Sequence, residues 1–344
     1  MQVLASAGMT TAIVYVPLLA RSLGFTNSQI GLLVAAYQGM LLLSNTLFGR
    51  WADFADRRRF VLLGLTLSAL AIGIHTLART ALLLLLARML AGVCLGIYPA
   101  ALTAYFYEHD KRLGRFSGYG ALGWGLGALA AGAIDTGVIF PFAGLLLAAS
   151  AGVAASGLQR QRIGLRQQFF DYGVLKRNWR LYASFLLRHL GAFSIWTIFP
   201  IYMSELGASR LWVGILWAIN PLGQFIFMHL LERADDRMLI RTGLLLSILV
   251  FTAFGIATDW RQLIPIQVAL ALSWSCLYLG SLKRLLRVNA EHSTAAGMLG
   301  STMSLAAVLG ALLESVSGLY GYRTVMFVAA GFALAGTGLF WSRD

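Results

Sequence analysis

The chain has 344 residues, of which 58% are hydrophobic and 12% charged, and its mean hydropathy is +0.74. A soluble domain carries about 25% charged residues, so a single water-soluble domain is excluded. The net charge of +13 does not point to nucleic acid, because the basic residues fall in short stretches between apolar runs and read as topology signals.

A membrane-crossing helix takes roughly 20 apolar residues. Runs of that kind are read at 2–20, 29–48, 60–78, 81–106, 116–136 and 138–157, and again at 182–204, 211–231, 239–258, 262–282, 295–317 and 322–341. The expected fold is therefore an all-α integral membrane protein of twelve transmembrane helices. Residues 1–157 form an amino-terminal six-helix bundle, 158–180 a basic cytoplasmic linker and 181–344 a carboxy-terminal six-helix bundle. The first run has no basic leader or cleavage site and reads as a retained helix; its short lead-in leaves a start upstream of Met1 as an expectation. Cys94 and Cys276 lie inside apolar runs and read as small packing residues. In the linker, Arg160, Arg162, Arg166, Lys176, Arg177 and Arg180 alternate with Phe169, Phe170, Tyr172 and Trp179. That composition suits a segment lying on the inner headgroups, and equally a plain solvated connection.

Alternate connections carry 20 Lys and Arg on one side against five on the other, with Arg88 and Arg188 left inside spans. Positive residues stay inside, so both termini and the linker are expected to face the cytoplasm. The halves also repeat one another. At a shift of 183, Pro17, Leu23, Gly24 and Gly31 meet Pro200, Leu206, Gly207 and Gly214. At 179, Asp53, Ala55, Asp56, Arg58 and Gly64 meet Glu232, Ala234, Asp235, Arg237 and Gly243, Gly118 meets Gly297, and Asp135 meets Glu314. Two bundles related by internal duplication can rock about a central site, which is a transport geometry.

The connection after the second span reads Gly49-Arg50-Trp51-Ala52-Asp53-Phe54-Ala55-Asp56-Arg57-Arg58-Arg59. It resembles the major facilitator superfamily signature G-x-L-A-D-R-x-G-R-[KR], with matches at Gly49, Ala52, Asp53, Arg57 and Arg58 and departures at Trp51, Phe54 and Asp56. The resemblance implies a conformational latch of Gly49, Asp53, Arg57 and Arg58, with Glu232 as the duplicate of Asp53. Asp53 is expected to meet guanidinium groups or the positive end of the eleventh span, beginning near Ala295. Charges that merely fix topology are the alternative. The fourth span, Arg88-Met89-Leu90-Ala91-Gly92-Val93-Cys94-Leu95-Gly96, is similar to the R-x-x-Q-G-x-G pattern of proton-linked exporters in that family. Arg88 lies deep enough to need a cavity or a partner, in coupling or binding or as a hydrogen bond to backbone carbonyls. Gly92, Gly96 and Pro99 share nearly one face and predict close approach and a bend. The glycines of the fifth span read as close packing, and the G-P-x-x-G-G signature of drug antiporters is absent.

In the seventh span, Arg188 and His189 precede Trp196 and Pro200, and their duplicates Ala5 and Ser6 carry no charge. This asymmetry suits a ligand or proton site, although Arg188 sits near enough to the inner end to snorkel. Asp135 and Glu314 lie near the outer ends of the fifth and eleventh spans, as a gate pairing with Arg21 or Arg210 or as proton carriers. The resemblance further places Thr10, Thr11, Tyr15, Tyr98, Asn220, Gln224, Trp274 and Tyr278 on helices that line the family's central cavity.

No H-E-x-x-H or G-x-S-x-G occurs, so a transporter is expected rather than an enzyme, with no cofactor and no metal. The expected partners are a small-molecule substrate, protons and membrane lipids, with no nucleic acid, for a monomer in the cell membrane. Proton-coupled export of amphipathic or drug-like compounds is the first reading. Uptake or exchange of a sugar or organic anion is the second, favoured by the two buried arginines, and a non-transporting receptor or scaffold on the same fold is the third.

Overall fold

The computed structural model describes residues 1–135, 137–161, 172–317 and 320–341; the side chains of residues 27, 28, 210 and 314–317 lie outside that description. Thirteen α-helices and no strand occur among the described residues. They are α1 (Gln2–Ser22), α2 (Asn27–Trp51), α3 (Arg57–Ile74), α4 (Ala81–Ile97), α5 (Pro99–His109), α6 (Leu113–Ala133), α7 (Ile139–Gly157), α8 (Gly173–Glu205), α9 (Arg210–Leu230), α10 (Asp236–Ile256), α11 (Leu263–Val288), α12 (His292–Ser317) and α13 (Tyr322–Trp341).

Among the described residues, eleven segments are long and apolar enough to cross a membrane, with α4 and α5 together forming one of them. Pro99 separates that pair: it opens α5 at the first helical position, where its missing N–H costs nothing, and it interrupts the ladder at Tyr98. Helix α6 has 21 residues, and its many glycines dilute its hydropathy below that of the others while letting it lie close against α1. Counting α6, the chain is a twelve-span, all-α multi-pass membrane protein.

The chain divides into two compact units, Met1–Val174 with Leu286–Ser304, and Leu175–Leu285 with Leu305–Asp344. The first therefore includes the opening turns of α12. Each unit has its own apolar core, the first around Leu33, Tyr37, Leu65, Leu84 and Leu95, the second around Ile195, Phe199, Phe251, Phe254 and Met326.

The expected repeat recurs as a repeat of contacts. A β-carbon added at Gly64 would stand 2.7 Å from Tyr98 Cβ, and one at Gly243 would stand 2.7 Å from Leu277 Cβ, both partners being related by the shift of 179. Likewise Gly8 lies against Leu146 and Gly191 against Ala329, and Gly127 lies against Ala7 and Gly310 against Leu190. Where Gly92 meets Met40 in the first unit, Gly223 meets Ala271 in the second, so the small residue has changed helices at the same crossing. Without a hydrophobic force between helices in lipid, such close backbone approach is the main source of packing energy.

Helix ends repeat too. Gly24 and Gly207 take φ of 83° and 89° after α1 and α8, a left-handed turn that favours glycine. Thr26 and Ser209 then cap α2 and α9, and Asp56 and Asp235 cap α3 and α10. The Asp56 that departs from the family signature is thus the N-cap of α3, accepting from Arg58 N at 3.1 Å.

Helix α8 departs most from expectation. It begins at Gly173, so residues 173–180, read as linker, are its first turns. Val174, Asn178, Leu181, Tyr182 and Phe185 are buried at helical spacing, while Lys176 and Arg177 point to solvent from the other face. Arg162, Arg166, Phe169 and Phe170 of the linker lie outside the described residues.

Candidate functional site

The connection between α2 and α3 builds the first polar centre, inside the first unit. Asp53 is fully buried, and its carboxylate accepts from Ser293 N at 2.9 Å, Thr294 N at 2.8 Å and Thr294 Oγ1 at 2.7 Å, all in the first turn of α12. These amides have no partner within their own helix, and the positive end of the helix dipole adds to the attraction. Arg57 donates through Nη2 to Asp53 at 3.0 Å and through Nε to Ser293 Oγ at 2.9 Å. Its Nη1 lies 2.5 Å from Glu108 Oε1 at the end of α5. His292 Nδ1 meets the same oxygen at 2.7 Å, and Gln161 Nε2 donates to Glu108 Oε2. Gly49 allows the approach, since a β-carbon there would stand 2.9 Å from the Ser293 carbonyl and 3.1 Å from Gly297 Cα.

Among the residues expected in this latch, Gly49, Asp53 and Arg57 come together, and the helix they hold starts at His292 rather than Ala295. Arg58 does not join them: its Nη2 donates to the Ala155 carbonyl near the end of α7, because one residue turns the side chain by about 100° around the helix. Glu232 in the second unit has its backbone carbonyl bound by Lys283 Nζ at 2.7 Å, together with the Ala234 carbonyl at 2.8 Å. Glu108, Gln161, His292, Ser293 and Thr294 were not singled out in the sequence. The only signal available was the run Glu291-His292-Ser293-Thr294 at the expected helix start, where small hydroxyl residues favour helix ends.

The second centre is Arg88, which is 3% exposed in α4. Its guanidinium carbon sits 3.8 Å from the centroid of the Tyr37 ring in α2, and neither Nε nor Nη1 has a hydrogen-bond partner. Tyr37 Oη and His75 Nε2 are buried and unpartnered in the same unit. The backbone-carbonyl bond considered for Arg88 is not made at either nitrogen. Stacking on an aromatic face offsets part of the cost of burying the charge. Gly92 and Gly96, one and two turns on, lie against Tyr37, Met40 and Ser44 of α2, as the expected close approach requires.

The third centre is in the second unit. Arg188 is 2% exposed in α8, so its side chain is enclosed by protein and does not run along an exposed surface. Its Nε donates to Ser247 Oγ in α10 at 2.9 Å, and Ser247 bonds Ser273 of α11 at 2.8 Å. Nη1 lies 3.3 Å from His189 Nε2, and Nη2 is buried without a partner. His189 Nδ1 is 2.6 Å from the Phe185 carbonyl. A carbonyl only accepts and a guanidinium only donates, so His189 holds its proton on Nδ1 and is neutral. Rings enclose the cation: Phe251 at 5.2 Å and Trp274 at 5.6 Å. Trp274 meets His189 edge-on at 4.8 Å and stacks on Tyr278 at 5.3 Å.

Arg188, His189, Trp274 and Tyr278 are therefore one group. Trp196 belongs to another, packed against Phe199 of its own helix at 5.4 Å and Trp217 of α9 at 5.1 Å. Gln224 donates to Asn220 within α9. Tyr15 packs edge-on to Phe140, and Tyr98 lies against Gly64. Thr10 and Thr11 turn their hydroxyls back to carbonyls of their own helix. Asp135 is exposed after α6 and accepts from Gly137 N at 2.8 Å, the geometry of a local turn. The side chains of Glu314 and of Arg210 lie outside the described residues. Among the described residues no group of three or more His, Cys, Asp or Glu is placed to hold a metal ion.

Comparison with known proteins agrees with this architecture. The model of the Major Facilitator Superfamily matches residues 1–163. Over 142 residues the chain is 29% identical to Multidrug resistance protein 2 of Bacillus subtilis (strain 168), covering 39% of this chain and 36% of that protein, so the match spans about a third of the relative. The human organic anion transporter MFSD10 (TETRAN) shares the fold with a TM-score of 0.80 at 19% identity, covering 98% of this chain and 96% of the other. A bacterial homologue of the iron transporter ferroportin, in an outward-facing state, shares it with a TM-score of 0.76 at 15% identity and the same coverage.

Proposed function

We propose that the chain, whose residues 1–163 match the model of the Major Facilitator Superfamily, is a transporter of that family that moves a small amphipathic organic solute across the cell membrane by alternating access, exporting it in exchange for protons. The observation that carries the reading is the Asp53 clasp on the first turn of α12. A carboxylate held by two helix-end amides, a hydroxyl and a guanidinium is strong when assembled and costly when half-broken, which is what a two-state latch needs. Partial identity to a protein named for multidrug resistance supports an amphipathic solute. The bias of 20 basic residues against five supports cytoplasmic termini. A monomer with lipid around its apolar faces completes the proposal.

The test is flux in proteoliposomes holding the purified protein. An imposed pH gradient is expected to drive a lipophilic dye against the proton flow, and Arg88→Ala is expected to abolish that flux while membrane insertion stays intact. Unchanged flux in Arg88→Ala removes Arg88 from coupling. Exchange of an organic anion is a second reading, favoured by Arg88 and Arg188, neither of which has a carboxylate partner among the described residues. Counterflow of an anion without a pH gradient would select it.

A further inference from the structure

Among the described residues, the positive charge of Arg188 meets no negative partner. Its contacts are Ser247, the neutral His189, and the rings of Phe251 and Trp274. Two of its three guanidinium nitrogens are engaged by these neutral groups, and Nη2 alone is buried and unsatisfied. Leaving such a donor empty costs more than most single contacts in the unit return. A group that accepts from Nη2 and carries one negative charge would remove that cost. A dianion is disfavoured, because Arg188 Nη1 occupies His189 Nε2 and so keeps that ring neutral, and among the described residues Arg188 has no second cation as a partner.

The shape of the surroundings narrows the class further. Trp274 and Tyr278 lie nearly parallel, 15° apart, and both are half-buried, unlike the fully enclosed side chains of Arg188 and His189. The corner thus joins an enclosed cationic end to a half-buried pair of stacked rings. Flat apolar bodies bind such rings by offset stacking. The sequence duplicates of Arg188 and Trp274 in the first unit are Ala5 and Leu95, so the repeat itself does not require this corner.

We propose that the Arg188, Trp274 and Tyr278 corner binds a flat aromatic monoanion, with its carboxylate on Arg188 Nη2 and its ring along Trp274 and Tyr278. This rests on the transporter reading and gives the transported solute its charge and shape.

The test uses the full-length protein in lipid nanodiscs at pH 7.5, with 2-naphthoate, the neutral 2-naphthamide and the cation 2-naphthylmethylammonium as probes in titration calorimetry. A charge-assisted hydrogen bond predicts that 2-naphthoate binds at least about tenfold tighter than the other two. Arg188→Gln should erase that preference and Arg188→Lys should keep it in part. Trp274→Leu should weaken all three probes several-fold. Equal affinity for the three probes, or no binding of 2-naphthoate, overturns the proposal. So does an Arg188→Gln protein that melts like the wild type and still prefers the anion. Since Arg188 also holds Ser247, that variant can fail to fold; wild-type selectivity and Tyr278→Leu, which touches no hydrogen bond of Arg188, then decide. Dye counterflow without 2-naphthoate binding sinks the site and leaves the transporter reading in place. Selective 2-naphthoate binding without flux of any solute does the reverse.

Discussion

In the first unit Gly64 lies against Tyr98, and in the second Gly243 lies against Leu277; the backbone crossing is the same and the side chain it admits is different. The contrast recurs throughout. Small residues at helix crossings, glycine turns and aspartate caps are duplicated, because they set the distance between backbones. Most buried charges are not kept in kind: Arg57 has Asp236 as its duplicate, Arg88 has Gln267 and Arg188 has Ala5, while Asp53 is matched only by the half-buried Glu232. Duplicated positions therefore report what the bundle needs to form, and the unshared polar groups report what each unit does.

The largest expected effect breaks the symmetry at the latch. Asp53→Ala would leave Arg57 and two α12 amides facing a buried void, at a cost of about 3–5 kcal/mol, whereas Glu232→Ala, at a half-buried duplicate, should cost under about 1 kcal/mol. Thermal melting of the two purified variants checks this, and similar losses would show that both connections bear equal load. Next, Gly64→Leu and Gly243→Leu should each cost about 1–3 kcal/mol through overpacking, and by matching amounts. A melting difference larger than the measurement error between them would mean that the duplicated crossings have diverged in energy.

The arginines should split. Arg188→Leu strips hydrogen bonds from Ser247 and His189 and is expected to cost about 1–3 kcal/mol. Arg88→Leu strips none at Nε or Nη1 and should be neutral or stabilising in the same melt. If Arg88→Leu melts lower than Arg188→Leu, the stacking on Tyr37 carries more than assigned here. The most local effect is at the caps, where Asp56→Ala and Asp235→Ala should each cost about 1 kcal/mol. Hydrogen exchange at the first turns of α3 and α10 reads it locally, and unchanged protection at either turn would remove the cap assignment.

Legibility in the sequence followed the range of the interaction. Gly24 and Gly207, and Asp56 and Asp235, were visible as pairs of the repeat and Pro99 as a bend, while the turn and cap roles of those pairs came from the backbone. The early start of α8 was hidden because Lys176, Arg177 and Arg180 look like linker charges until they are seen to share a helix with the buried Val174, Asn178 and Leu181. Arg57 and Arg58 are neighbours of one type, and only the phase of α3 turns the first toward Asp53 and the second toward Ala155. Glu108 and His292 are 184 residues apart, a separation over which no local pattern operates.

What the sequence determined by itself was the twelve-span plan, its duplication and the bias of basic residues toward alternate connections, because hydrophobic length, turn chemistry and charge composition are local or compositional. The tertiary structure decided which helix end receives Asp53, which guanidinium nitrogens go unpaired, and that Arg188 is enclosed instead of reaching the headgroups. Those outcomes depend on where separate helices cross, and a crossing fixes the partners of a buried charge only once the backbones have met.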